Sequence, residues 1–241
     1  MPAILELQDI KKSYNKRPIL KSLSFEVHQG EIIGLLGPNG AGKTTAFYMT
    51  MGLLKPDHGK IIFEGTDVTN IPIHKRSKMG IGYLAQEPSI FRDMTVEENI
   101  LCILETLDIS KNERKSRLES YLKELNLESL RKTKAVCLSG GERRRLEITR
   151  ALVTNPKLLL LDEPFANVDP ITISNMKQMI RILKNKGIAI LITDHNAKEI
   201  FSIVDRSYLV VDGTVIASGS VNQILTNTEA KTRYLGEDFV L

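Results

Sequence analysis

The 241-residue chain has few cysteines, no long apolar run and little excess charge of either sign. Its only cysteines, Cys102 and Cys137, are far apart with no CxxC, which excludes a disulfide framework and a zinc site; both read as buried thiols of a cytosolic protein. His28, His58, His74 and His195 show no ligand spacing. No stretch approaches the roughly 18 consecutive apolar residues of a membrane span, and the hydrophobic share of 42% sits a little below the globular norm. A soluble chain is expected. Its start, "MPAILELQDIKKSY", alternates apolar and polar residues without a continuous apolar core, so it reads as a strand and not a signal peptide. The formal net charge of +4 permits contact with a membrane surface or nucleic acid and demands neither. There is no internal repeat and no low-complexity linker.

What is present is a pattern of strands and helices. "ILELQDI" and "ILKSLSFEV" alternate with period two, the mark of strands with one wet face. "EIIGLLG", "KLLLLDEP" and "IAILITDH" are instead continuous apolar runs, which need burial on both faces. Buried strands alternating with helical segments predict an α/β fold with a parallel sheet. Between Gln86 and Asn155 the pattern turns helical, with Leu118, Tyr121, Leu122 and Leu125 spaced by three and four. The charge run from Lys111 to Arg117 reads as the solvated face of that helix. One core domain with a sizeable helical insertion fits the length.

The residues that carry chemistry follow. "GPNGAGKTT", residues 37–45, fits G-x-x-x-x-G-K-[ST] between a buried strand and a helix. Gly37, Gly40 and Gly42 let the backbone curl so that successive amides of the loop, which also contains Pro38, Asn39 and Ala41, point at phosphate oxygens. Lys43 can reach the β- and γ-phosphates, and the Thr44 hydroxyl, beside Thr45, can bind Mg²⁺. "LLLLDEP" ends a buried strand with Asp162, a candidate metal ligand, and Glu163, a candidate general base for an attacking water. His195 ends the next buried strand at the same sheet edge and can donate to a γ-phosphate. Gln86 ends the strand-like "GIGYLAQ" and can add a metal or water contact. "CLSGGERRRLEITRAL" places Ser139, Gly140 and Gly141 at a helix start, where unpaired amides collect anions. Residues 37–45 already hold one set of phosphates, so this second corner is expected to close over the nucleotide of another copy, reciprocally in a homodimer. The plain alternative is an ordinary serine N-cap.

The order "GPNGAGKTT", Gln86, "LSGGE", "LLLLDEP", Asp169 and His195 resembles the ATP-binding cassette ATPases over nearly the whole chain. The resemblance implies a P-loop NTPase (RecA-like) core with an N-terminal antiparallel β subdomain and a helical insertion. It implies a single domain over 1–241, with residues 1–86 and 156–241 as the catalytic core subdomain and 87–155 as the helical signature subdomain. Tyr14 would stack on adenine, Gln86 would sense a transmembrane partner, and Asp169 would communicate across the dimer. Glu142 stands where many members have Gln, and "FANVDP" departs from the commoner loop. Within the family, "GIGYLAQEPSIFRDMTVEENI", "DEPFANVDPI" and the tail "YLGEDFVL" look like the ATPase subunits of lipopolysaccharide exporters, with branched-chain amino acid importers as the nearest alternative. That likeness implies ATP as substrate with Mg²⁺, a homodimer serving two transmembrane permease subunits, and a peripheral place on the cytoplasmic side of the bacterial inner membrane, partly cytoplasmic. Membrane contact would run only through the permeases, near "PSIFRDM" (88–94) with Phe91 as an anchor, and no nucleic acid is expected. A DNA-repair ATPase of the same superfamily would need sustained heptads, which the insertion lacks. A kinase or GTPase has no use for "LSGG", and no N-K-x-D motif is present.

Overall fold

β1 (Ala3–Tyr14) and β2 (Arg17–His28) pair antiparallel across a two-residue turn. Asn15 and Lys16 both hold positive φ there, 49° and 66°, the requirement of a tight hairpin whose twist matches its strands. The computed structural model describes residues 2–87, 89–166, 168–239 and 241. Along the chain follow β3 (Ile32–Leu36), α1 (Lys43–Met51), β4 (His58–Phe63), β5 (Thr66–Asp67), α2 (Ile73–Met79), β6 (Ile81–Leu84), α3 (Val96–Leu104), α4 (Lys111–Glu124) and α5 (Gly140–Leu152). Then come β7 (Leu158–Asp162), α6 (Pro170–Asn185), β8 (Ala189–Thr193), α7 (Ala197–Phe201), β9 (Arg206–Val211), β10 (Thr214–Gly219) and α8 (Val221–Thr226).

The ten strands form one mixed sheet in the order β5-β4-β1-β2-β10-β9-β3-β8-β7-β6. β9, β3, β8, β7 and β6 run parallel, while β1, β2, β4 and β5 are antiparallel. The continuous apolar runs now have a cause. Leu159 and Leu161 on β7 and Ile190 and Ile192 on β8 face one core; Leu158, Leu160, Ala189 and Leu191 face the other. The first core continues into the helical segment, taking in Val96 and Ile100 of α3, Leu118 and Leu122 of α4, and Leu146 and Ile148 of α5. Those helices therefore share their apolar interior with the parallel sheet. Of the run from Lys111 to Arg117, Arg114 and Arg117 are half-buried and the rest lie exposed on α4, so the charge pattern predicts most of a solvated face.

The cysteines correct an expectation. Cys137 is exposed and Cys102, within α3, only half-buried.

Candidate nucleotide site

β3 stays fully buried to Leu36 and α1 begins at Lys43, so the residues between reverse the chain at the sheet's carboxyl edge. Two glycines are fixed by contact as well as by conformation. Gly37 has φ 147°, and a Cβ there would stand 2.0 Å from the Val210 carbonyl oxygen. Gly42, which caps α1 at φ 101°, would drive a Cβ to 2.4 Å from Leu20. The Lys43 ammonium, 8% exposed, donates to the carbonyls of Gly37 at 2.6 Å and Pro38 at 3.0 Å. Burial lowers its pKa, opposed by the charges of Glu163 and Asp162. Around the loop lies a cleft of about 300 Å³ lined by residues including Tyr14, Asn39, Gly40, Thr44, Thr45 and Glu163. Tyr14 is 46% exposed, with the Lys12 ammonium 5.8 Å from the centre of its ring.

Asp162 ends β7 opposite Thr193 of β8. It is buried, and burial pushes its carboxyl pKa up; the charge of Glu163 adds to this, while the Tyr83 hydroxyl, 3.2 Å away, and Lys43 oppose it. Among the described residues the buried Thr193 hydroxyl beside it has no hydrogen-bond partner. A desolvated carboxylate near hydroxyl and amide oxygens suits a hard divalent cation that completes its shell with phosphate oxygens and water. The Thr44 hydroxyl, Gln86 and Asp162 are the candidate oxygen donors that could hold such an ion. Among the described residues no cluster of three His, Cys, Asp or Glu offers a self-contained metal cage.

Glu163 follows with φ 45°, its N–H donating to the Thr193 carbonyl at 2.8 Å. Its carboxylate accepts from the Gln86 amide at 2.8 Å, and the His195 Nδ1 lies 3.8 Å away. Gln86 and His195 each stand two residues past the strands that sequence pattern has them end, at Leu84 and Thr193. The chain has already left the sheet there, and both side chains swing toward Glu163. Asp194, fully buried, accepts from the Phe165 and Asn196 amides at 2.9 and 3.0 Å and so ties the turn after Glu163 to the turn after β8. Neither Asp194 nor Tyr83 stands out in the sequence.

A second cleft of about 300 Å³ opens on the other side of Glu163, lined by Gln86, Gly140, Arg143, Arg144, Glu147 and Asp169 among others. Arg144 donates to the buried Glu147 carboxylate at 2.7 Å and to the Ala85 carbonyl at 3.4 Å, linking α5 to the strand end that carries Gln86. Asp169 caps α6, accepting from the Thr172 amide at 3.0 Å with Pro170 behind it. Ser139 caps α5 in a reciprocal box with Glu142. None of Ser139, Gly140 and Gly141 lines the cleft that holds Lys43. A Cβ on Gly141 would meet Thr172 at 3.1 Å, whereas one on Gly140 would meet nothing within 4 Å. Phe91 is no core residue: it is 47% exposed, with the Arg150 guanidinium 4.6 Å above its ring. Pro88, at the start of the 88–94 segment, and Asn167 of "FANVDP" lie outside the described residues.

Residues 20–166 match the ABC transporter family. Over 239 residues the chain is 49% identical to a protein of Acidithiobacillus ferridurans named lipopolysaccharide export system ATP-binding protein LptB, covering 99% of each chain. The crystal structure of the ADP conformation of an ATP-binding cassette of an ABC transporter superposes with a TM-score of 0.88 at 31% identity, over 98% of this chain and 100% of that one. A dimeric post-hydrolysis cassette bound to ADP and Pi gives 0.78 at 25% identity, over 90% and 98%. With the family matched over more than half its length and a relative at 49% identity along nearly all of it, this chain belongs to the ABC transporter family.

Proposed function

We propose that the chain is the ATP-hydrolysing subunit of a lipopolysaccharide exporter, working as a homodimer beneath two transmembrane permease subunits at the cytoplasmic face of the inner membrane. The cargo rests on the near full-length identity to the lipopolysaccharide export protein. The paired arrangement rests on Gly140. Its φ lies outside the left-handed region, and among the described residues a side chain there would meet nothing within 4 Å, so the described part of the fold gives no reason for glycine there. Close approach of a partner's triphosphate gives one.

Residues 1–86 and 156–241 would act as the catalytic core and 87–155 as the signature subdomain. Adenine would stack on Tyr14, and the triphosphate would lie along Gly37 to Thr45, taking over the Lys43 ammonium from the Gly37 and Pro38 carbonyls. A bound Mg²⁺, held by Thr44, Gln86 and Asp162, would neutralise charge on the β- and γ-phosphates. Glu163 would accept the proton of the attacking water, His195 would donate to the γ-phosphate, and Ser139 to Gly141 of the partner copy would close the site. Asp169 would carry the state of one site to the other. Shifting an open pair from 1:99 to 99:1 closed takes about 5.5 kcal/mol, so each of two nucleotides supplies roughly half. Hydrolysis removes that grip and the pair reopens. The exposed ring of Phe91, at the rim of the 89–94 segment, would bear the movement to the permeases.

Copurification from membranes in mild detergent tests the assignment. Two permease subunits and lipopolysaccharide-stimulated ATPase activity are expected; permeases of an amino acid importer in their place would overturn the cargo.

A further inference from the structure

We infer that Glu142 is a positioning residue that weakens the ATP-closed dimer, holding back the Ser139 donors and adding negative charge where a partner's triphosphate must dock. This inference rests on the paired arrangement proposed above. One carboxylate oxygen, Oε2, accepts from the Ser139 amide at 2.8 Å and from the Ser139 hydroxyl at 2.7 Å. Of the donors at the start of α5, the Glu142 side chain thus takes two, and leaves the amides of Gly140 and Gly141 to an incoming anion. The hydrogen bonds from Ser139, with the charge of Arg145, hold the Glu142 carboxyl below its ordinary range, so the charge is present at neutral pH.

The same molecule shows that the helix does not need that charge. α8 begins with an equivalent box in which the Ser220 amide donates to the Gln223 amide oxygen at 2.8 Å. Gln223 closes it as a neutral group; the Ser220 hydroxyl accepts from the Gln223 backbone amide at 3.4 Å and, among the described residues, makes no bond to the Gln223 side chain. The Thr95–Glu98 box at α3 repeats the acidic form, with the hydroxyl held by the carboxylate at 2.9 Å. A glutamine therefore serves the cap, while a glutamate serves the cap and also captures the hydroxyl. At α3 that has no consequence for a nucleotide. At α5 the hydroxyl is one of the groups meant to grip the γ-phosphate, and it must leave Glu142 before it can. Each closed pair contains two such corners, so the opposition counts twice. The result is a dimer that closes on ATP yet reopens readily once the γ-phosphate is gone.

The test is sedimentation of the full-length protein with ATP and Mg²⁺ in a Glu163→Gln background, where the closed pair persists. Adding Glu142→Gln should tighten the dimer at least about tenfold, and the ratio should shrink as salt rises from about 0.05 to 0.5 M, because screening removes a repulsion only glutamate makes. A merely structural role for residue 142 would leave that salt dependence unmoved. Thermal melting of the monomer should be unchanged, since the cap survives. An equal or weaker dimer for Glu142→Gln, or a ratio independent of salt, overturns the inference while ATP-driven pairing stands. The control is Ser139→Arg. If it still pairs on ATP as tightly as the parent, the partner-site arrangement itself fails and this inference falls with it.

Discussion

Glu163 sits in a backbone region that costs a non-glycine residue about 1 kcal/mol or more, and its neighbours hold it there. The N–H to Thr193 and the Asp194 carboxylate bonded to Phe165 fix the turn from both sides. The strained turn makes one carboxylate the wall between the phosphate-loop cleft and the cleft beside α5. The Gln86 amide donates to one oxygen of that carboxylate, Oε2, which orients the group and leaves Oε1 open to a further donor. Glu163→Gln keeps shape and backbone but has no proton-accepting oxyanion. Turnover should fall about 10² to 10⁴-fold with nucleotide affinity retained, read by steady-state ATPase assays beside equilibrium binding; near-normal turnover would remove Glu163 as the base. Lys43, Asp162 and Glu163 are visible in the sequence because their chemistry is written in adjacent letters. Tyr83 and Asp194 are not, because their partners lie 79 and 29 positions away and only the pairing of β6, β7 and β8 brings them together.

At the scale of elements, α1 is anchored from its far end by a side chain that looks ordinary in the sequence. Within "IHKRSKM", Arg76 is 1% exposed while Lys75 and Lys78 lie at the surface. Its guanidinium donates to the carbonyls of Met49 and Thr50 at the end of α1 and of Thr69 and Ile71 in the approach to α2. Burial lowers its pKa to about 10, and it stays charged at a helix C-terminus, where a cation is favoured. Gly52 makes room: at φ 83° a Cβ would press to 2.8 Å from the Arg76 Nε. Arg76→Met would strand the Thr50, Thr69 and Ile71 carbonyls, while the Met49 carbonyl keeps the Gly52 amide, at a cost of about 3 to 5 kcal/mol. The expected fall in Tm is about 6 to 20 °C, followed by circular dichroism; an unchanged Tm would mean that water replaces the fork without loss. The parallel strands and main helices are legible from apolar runs and periodicity. The exposure of Cys137 is not, since residue type alone predicts burial of a thiol.

For the molecule as a whole, the two halves of the proposed reaction centre line separate clefts that meet at Glu163. Lys43 and Glu163 share one cleft, and Gly140 shares the other with the far side of Glu163. If the Ser139 corner serves a second copy, then defects in the two halves must complement. Ser139→Arg leaves the phosphate loop intact and ruins the corner, whereas Lys43→Ala does the reverse. Each variant alone should be inactive. In a mixed pair, one site joins an intact loop to an intact corner and the other joins both lesions. Equal mixing gives half mixed pairs, each with one working site, so recovery should reach at most about a quarter of wild-type turnover when the sites work independently. It should track the product of the two variants' concentrations, because only mixed pairs contribute. ATPase titration at fixed total protein reads this directly. A flat baseline at every ratio, with both variants folded and Ser139→Arg still binding nucleotide, would mean that no site is shared between copies.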